Sequence, residues 1–167
     1  MERTADRFLR WVLPTLGGLL LLAAYAFPLF LRGAFLFAGD GDPGRHIRVG
    51  SYILETRSIP AVDLFSHTML GEPFIPFEWL SESIFAAFNA AAGLAGVAVL
   101  TAILFASTVG LVYVTMTRAG LPTFIAFLFA FVSMVLQAVH LHPRPHMFTT
   151  LLVAAFAFLL LETRRDG

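Results

Sequence analysis

The residues best suited to chemistry lie in one polar segment, residues 39–82, of a chain that is otherwise mostly apolar. Carboxylates and imidazoles are expensive to hold against a bilayer, because water is withdrawn from their charges. Their concentration in a single segment therefore indicates a functional use. The candidates are Asp40, Asp42, His46, Asp63, His67, Glu78 and Glu82.

The Asp40-Gly41-Asp42 sequence is the first candidate for catalysis. Two carboxylates two residues apart can share a divalent cation such as Mg²⁺ or Mn²⁺, or one can act as a general base. The structural alternative is that Asp42 caps a helix begun by Pro43 while Asp40 is solvated. If this chain binds a metal, Asp40 and Asp42 are the expected ligands.

Two further pairs have helical spacing. His46 follows Asp42 by four residues, so the carboxylate is expected to orient the imidazole unless His46 is simply a surface residue. Glu78 and Glu82 also lie one turn apart, which suits a metal site or an acid/base pair. For Glu82 we favour the alternative, an acid stabilised by the positive end of a helix dipole. Glu78 lies between Phe77 and Trp79, an aromatic setting typical of the headgroup level, and remains a candidate.

A short segment near the carboxyl end alternates histidine and arginine with proline. Prolines favour an extended backbone, which would direct alternate side chains to one side. Such a group suits a phosphate, and it could also ligate a metal or form an ordinary turn. The residues are His140, His142, Arg144 and His146.

The composition is that of an integral membrane protein. Of 167 residues, 58% are hydrophobic and 13% are charged, and the mean hydropathy is +0.81; soluble domains are roughly 45–50% apolar and about 25% charged. The absence of cysteine excludes disulfides and thiolate chemistry, and the absence of lysine excludes a P-loop or Schiff-base lysine. A net charge of +0 gives no electrostatic support for a nucleic-acid partner.

Hydropathy predicts an all-α membrane bundle forming one domain over residues 1–167. Four apolar stretches are expected to span the bilayer, because about 20 apolar residues cross its hydrocarbon core. An external loop over 32–81 is expected to carry an interfacial helix over about 43–56, with Ile47, Ser51 and Leu54 on one stripe. Another helix is expected from about residue 78, interrupted at Gly93 and Gly96. The predicted spans are 11–31, 94–117, 121–141 and 145–161.

The predicted topology places both termini in the cytoplasm of a bacterial inner membrane, with the 32–81 loop on the periplasmic side. Six arginines fall on the side of the termini and five on the other, a small bias in the direction of the positive-inside rule. All five histidines fall on the side of the loop. Few polar residues lie within the spans and no charge lies at mid-span, which argues against an ion transporter.

Three segments together resemble a known family. They are GDGDPGRHIRVGSYILETRSIP, DLFSHTMLGEPFIPFEWLSE and RPHMFTTLLV, in this order. The pattern is similar to the N-terminal part of bacterial GT-C superfamily membrane glycosyltransferases, in particular the RgtA/B/C/D-like group. The resemblance implies transfer of a sugar from a polyprenyl-phosphate donor to an acceptor on the outer face of the membrane.

The resemblance also implies roles for individual residues. Asp40 or Asp42 would be the general base, with or without a divalent cation. His142, Arg144 and His146 would bind the leaving phosphate, while His46 and Glu78 would shape the site. Members of this superfamily usually carry eight or more spans, so a four-span chain is expected to be incomplete as an enzyme by itself. It would be a piece of a longer protein, a half that needs another membrane protein, or an inactive relative. The alternatives are a small non-enzymatic membrane subunit or assembly scaffold, and a metal-handling protein that uses the external histidines.

Overall fold

The computed structural model describes residues 15–38 and 40–166, and over these residues it is all-helical, as predicted. We number its five α-helices in chain order. The only pairing of extended backbone found in these residues is an isolated bridge between Val62 and Pro73. The helices are α1 (Leu16–Ala26), α2 (Asp42–Thr56), α3 (Trp79–Arg118), α4 (Thr123–Ala138) and α5 (His146–Asp166).

Helix α3 is the centre of the fold, and the four other helices all pack against it. It is 40 residues long and is broken at Ala92 and Gly93, where the backbone is not helical. Gly93 has a φ of 61°, a conformation that glycine adopts without a steric penalty. The sequence predicted a helix from about residue 78 with an interruption at Gly93 and Gly96; the structure has the helix and the break at Gly93, whereas Gly96 is helical.

The core lies along α3 and includes two aromatic contacts. The Phe85 ring meets Phe148 of α5 edge to face at 5.5 Å between centroids. Further along α3, Phe105 stacks on Phe27 at 6.2 Å. These contacts, together with buried Leu36, Leu141 and Met147, hold the helix ends near the polar segment in place.

Helix α1 begins at a conventional cap and ends at a proline. The Thr15 hydroxyl accepts a hydrogen bond from the Gly18 amide at 3.0 Å. After Ala26 the chain continues as a π-helical turn over Phe27–Arg32, which contains Pro28, and then as a 3₁₀ turn over Gly33–Leu36. These turns deliver the chain to Asp40 at the start of the polar segment.

Helix α2 packs against α3 through one face. Its buried residues recur at helical spacing and include His46, Val49, Gly50 and Ile53. The predicted interfacial stripe of Ile47, Ser51 and Leu54 lies on a different face, where Leu54 is exposed. The helix ends where Arg57 adopts the left-handed conformation and donates its amide to the Ile53 carbonyl.

The segment between α2 and α3 is ordered by Asp63. Its Oδ1 accepts the amides of Phe65 and Ser66, both at 2.9 Å. These backbone hydrogen bonds lower the pKa of Asp63. Its own amide and carbonyl pair with Glu72 and Gly71. Asp63 therefore holds a turn together, and the structure gives it a structural role.

Two helices are long and apolar enough to cross a membrane, Trp79–Arg118 and His146–Arg165. Helix α4 is shorter, and its 16 residues extend only about 24 Å, against about 30 Å for a bilayer core. The apolar helix over Leu16–Phe30 is also short, and residues 11–14 of the predicted first span lie outside the described residues. The described chain thus has two membrane-length helices, while four spans and the orientation of the termini remain predictions.

Candidate functional site

Most of the candidate residues from the sequence come together at one end of the bundle, where α2, α3 and α5 begin. They form two ionic clusters. The first, the Arg144 cluster, consists of Asp40, Asp42, His142 and Arg144. The second, the His46 cluster, consists of Arg45, His46, Glu78 and Glu82.

The Arg144 cluster is built around a two-pronged ion pair. Arg144 donates from Nε to Asp40 Oδ2 at 2.7 Å and from Nη2 to Asp40 Oδ1 at 2.6 Å. Nη2 also lies 3.0 Å from Asp42 Oδ2. Asp40 Oδ1 additionally accepts the Asp42 amide at 3.1 Å, which ties the ion pair to the start of α2. Planar guanidinium and carboxylate groups match in this geometry, which is the strongest form of the interaction.

Asp40 is held ionised by this pairing. The hydrogen bonds from Arg144 lower its pKa to about 2, although burial acts in the opposite direction. The Asp40 side chain is only 8% exposed and both of its oxygens face Arg144. A carboxylate with so low a pKa is a weak proton acceptor near neutral pH. Asp42, whose side chain is 45% exposed, is the more accessible of the two acids.

The helix start also differs from the capping alternative considered for Asp42. Asp42 lies in the first turn of α2, and the cap position falls on Gly41, which has no side chain to accept a hydrogen bond. The side chain that accepts an amide at this helix start is Asp40. Asp42 also contacts Arg144. His46, which the i, i+4 spacing paired with Asp42, has its ring nitrogen beside another carboxylate instead.

The turn between α4 and α5 carries the alternating histidines. Its backbone forms two successive three-residue turns, in which the amide of His142 bonds the carbonyl of His140 and the amide of Arg144 bonds that of His142. His140, His142, Arg144 and His146 line one open pocket, although their backbone is turned and not extended as the prolines suggested. His146 Nε2 lies 2.9 Å from the His140 carbonyl oxygen, which closes the turn onto the start of α5.

The His46 cluster connects α2 to α3. His46 Nδ1 lies 3.0 Å from Glu82 Oε1 and 3.8 Å from Glu78 Oε2. Arg45 approaches the same two carboxylates at 3.5 and 3.6 Å. His46 and Glu82 are almost fully buried, whereas Glu78 and Arg45 reach solvent, with side chains 46% and 42% exposed. The cluster therefore has a closed inner side and an open outer side.

Glu82 is a site residue for which the sequence analysis favoured a purely structural role. The expectation of a helix-terminal acid explained only its place in the first turn of α3, because its side chain is fully buried and contacts His46. Its second oxygen, Oε2, has no hydrogen-bond partner among the described residues. The available signal was the shared face of Glu82 and Phe85, since an acid in register with a core phenylalanine faces the interior.

Gly50 permits the contact between His46 and Glu82. A Cβ atom at Gly50 would collide with the backbone carbonyl of Glu82 and would lie 2.9 Å from the Cβ of Ala86. Only a residue without a side chain lets α2 approach α3 this closely. The His46 side chain, one turn earlier on the same face, is thereby brought within hydrogen-bonding distance of Glu82.

An apolar groove runs from the polar end along α3 and α5. Its volume is about 290 Å³ and Glu78 lies at its rim. Pro145, which follows Arg144 in the chain, also lines it, so the groove borders both the His46 cluster and the histidine turn. The remaining lining is supplied by Phe77, Leu80, Ser81, Ile84, Phe148, Thr149 and Leu152.

The predicted metal ligands do not fit a cation. Both oxygens of Asp40 accept hydrogen bonds from Arg144, and Asp42 contacts the same guanidinium. A divalent ion bound between these carboxylates would have to displace a bonded positive charge. Asp40 and Asp42 are therefore poor metal ligands, in contrast to the expectation from their spacing.

The structure thus places the predicted site residues in two groups. Asp40, Asp42, His142 and Arg144 contact one another, with His146 in the same turn, while His46 and Glu78 lie together in the second cluster. The charge of Glu78 contributes to raising the pKa of Arg144, so the two groups are near neighbours. His67 lies in the exposed part of the loop and belongs to neither cluster.

Comparison with known proteins adds no relative. No protein-family model matches this chain. No curated protein and no solved structure matches it either. Conclusions about function therefore rest on the geometry and on the chemistry of its residues.

Proposed function

We propose that this chain is a GT-C-like glycosyltransferase module that acts at the outer face of a bacterial inner membrane. It would take a sugar from a polyprenyl-phosphate donor and pass it to an acceptor, as part of a larger assembly of membrane spans. One observation carries the proposal. Carboxylates, histidines and arginines from three separate segments converge at one end of two membrane-length helices, beside an apolar groove that follows those helices.

The groove suits the lipid part of such a donor. An isoprenoid chain lying along α3 and α5 would contact apolar side chains such as Ile84, Phe148 and Leu152. Its phosphate would then reach the polar end, near the turn that carries His142, Arg144 and His146. Burial of the chain in the groove would provide affinity, because about 0.8 kcal/mol accompanies each buried CH₂.

The polar end offers the groups that sugar transfer needs. Asp42, the exposed acid, would accept the proton of the acceptor hydroxyl while the oxygen of that hydroxyl bonds to the anomeric carbon. The bond between that carbon and the phosphate oxygen breaks, and its electron pair leaves with the phosphate. Arg144, His142 and His146 would stabilise the charge on the leaving group. Asp40 would serve to position Arg144, since its low pKa suits a permanent ion pair.

Lipid binding tests the proposal directly. The full chain in lipid nanodiscs should bind a polyprenyl phosphate saturably, and polyprenol without phosphate should compete only weakly. Leu152→Trp fills the groove and should weaken binding at least about tenfold, which corresponds to about 1.4 kcal/mol. Val153→Trp changes the neighbouring, outward-facing residue and should leave binding unchanged. Equal binding by all three proteins, or no saturable binding by a folded sample, would refute the proposal.

A second candidate is a non-enzymatic membrane subunit, and the exposure of α5 favours it. Only 6% of the most apolar stretch of α5 is buried, against 44% for α3. Large side chains on α5 face outwards, among them Val153, Phe156, Leu159 and Leu160. In this role the chain would offer α5 to another membrane protein, and Asp42→Asn would have no effect on sugar transfer by the assembly.

A further inference from the structure

We propose that His46, Glu78 and Glu82 bind one divalent transition-metal ion of the Mn²⁺ or Zn²⁺ class. The site lies between α2 and α3 and is distinct from the Asp40 and Asp42 pair that the sequence suggested. It does not depend on the transferase proposal, because it rests on the positions and burial of these three side chains.

The spacing of the ligand atoms suits a single ion. One atom from each residue lies within 4.8 Å of the others, and two of the separations are 3.0 and 3.8 Å, both measured from His46 Nδ1. Ligands bonded to one ion at about 2.0–2.2 Å lie about 3.0–3.6 Å apart. The site therefore needs only a small inward movement of Glu78, whose side chain is 46% exposed.

The second observation is the free oxygen of Glu82. Its side chain is fully buried, and Oε2 has no hydrogen-bond partner in the described part of the chain. A buried carboxylate oxygen without a partner carries a desolvation cost that a bound cation would remove. The unsatisfied atom belongs to the same carboxylate whose Oε1 lies 3.0 Å from His46 Nδ1, so this one carboxylate supplies a ligand atom in the cluster and an oxygen still without a partner in the described residues.

Charge balance also favours a cation. Glu78 and Glu82 supply two negative charges, and Arg45 supplies the only permanent positive charge within the cluster. Arg45 holds its position weakly, because its contacts with the two carboxylates are 3.5 and 3.6 Å long and its side chain is 42% exposed. Metal binding would move Arg45 into solvent, and His46 would bind the ion through Nδ1, the nitrogen that faces the carboxylates.

The ligand set indicates the class of metal. Imidazole nitrogen suits zinc and other transition metals, while carboxylate oxygens also suit manganese. One nitrogen and two oxygens are a poor match for Ca²⁺, which prefers six to eight oxygen ligands. With three protein ligands and an exposed outer side, the ion would keep positions open for water or a substrate oxygen.

Metal titration of the purified full chain is the decisive experiment. After chelator treatment, Mn²⁺ is followed by electron paramagnetic resonance and Co²⁺ by its visible spectrum. Wild type should bind one ion per chain, and Glu78→Gln should weaken binding at least about tenfold, the scale of effects around metal sites. Glu78 is exposed, so this variant should fold even if Glu82→Gln does not. Arg45→Gln should tighten binding, because the competing cation is gone.

Matched controls distinguish this site from other histidines and acids. Glu72→Gln and His67→Gln change exposed loop residues outside the cluster and should bind metal as wild type does. Weaker binding in Arg45→Gln would mean that the arginine supports the cluster, and would overturn the proposal. The proposal also fails if Glu78→Gln binds normally or if His142→Gln abolishes binding, which would place the ion at the histidine turn.

Discussion

The two ionic clusters lie side by side at the same end of the bundle but differ in how completely their charges are paired. In the Arg144 cluster both oxygens of Asp40 accept short, directed hydrogen bonds from one guanidinium. In the His46 cluster the arginine contacts are long, and one buried oxygen of Glu82 has no partner among the described residues. The two clusters contain similar residue types, so composition alone does not distinguish them.

The completeness of charge pairing determines which acids are available to bind a ligand. A carboxylate that is fully bonded to an arginine contributes to the fold and has little left for a ligand, whereas an unsatisfied buried carboxylate favours one. Asp40 therefore stabilises the structure of the site, whereas Glu82 and Glu78 are available to bind a ligand. The following predictions test this contrast, beginning with the largest expected effect.

Removing Arg144 should be the most damaging single change. Arg144→Met leaves Asp40 buried and charged without a partner, at an expected loss of about 3–4 kcal/mol in unfolding free energy. The double variant Asp40→Asn/Arg144→Met removes the stranded charge and should recover at least half of that loss. Chemical denaturation in detergent measures both. Arg48→Met is the control, because Arg48 only lies over the Phe65 ring. A double variant no more stable than the single one would contradict the contrast.

Adding one methyl group between the helices should disrupt the other cluster. Gly50→Ala places a Cβ against the Glu82 carbonyl and should cost about 2–3 kcal/mol, as overpacking in a close helix contact does. The matched control is Gly44→Ala on the same helix, where a Cβ meets nothing within 4 Å. Thermal unfolding compares the two variants. Equal stability of both would show that α2 does not need its close approach to α3.

Acid should weaken the Arg144 cluster over a defined range. The pKa of Asp40 is lowered from 3.8 to about 2, so its contribution to stability is complete above the ordinary value and is lost as the pH falls through about 2. We expect a loss of about 1–2 kcal/mol, reduced by the solvent that reaches Arg144. Melting curves between about pH 6 and about pH 2.5 measure it. Asp40→Asn should flatten that part of the profile, and an unchanged slope would contradict the assignment.

Neutralising Glu78 should have the smallest effect without metal. Its side chain is 46% exposed and its contact with Arg45 is 3.6 Å long, so Glu78→Gln should change the unfolding free energy by less than about 0.5 kcal/mol. In the presence of Mn²⁺ the wild type should gain stability and the variant should not. Differential scanning fluorimetry with and without the ion tests this. A similar gain in both proteins would remove Glu78 from the metal site.

The sequence predicted the helices better than it predicted the contacts between them. The start of α3, its interruption at Gly93 and the helix after Asp42 could be placed because each depends on neighbouring residues: a proline, a glycine or an apolar run. The end of α4 was predicted less well. Apolar Val139 and Leu141 follow the end of α4 on either side of His140, and hydropathy does not locate the point where the helix gives way to a turn.

The four alternating residues of the histidine turn line one pocket, but their backbone forms two tight turns where the prolines were expected to keep it extended. The partner of His46 was not predicted. Spacing along one helix suggested Asp42, yet the carboxylate that contacts His46 is Glu82, which is 36 residues away in the chain. No local pattern encodes that pairing, since it depends on how closely α2 and α3 approach at Gly50.

What the sequence determined by itself is an all-helical, strongly apolar chain with all of its histidines and seven of its eleven acids gathered into a polar segment and one turn. Short-range preferences and hydropathy are sufficient for that. The tertiary structure decided which charges meet: it paired Asp40 with Arg144 across 104 positions and left an oxygen of Glu82 without a partner in the described chain. Charge pairing depends on distances of a few ångströms between distant residues, and only the packing of the helices sets those distances.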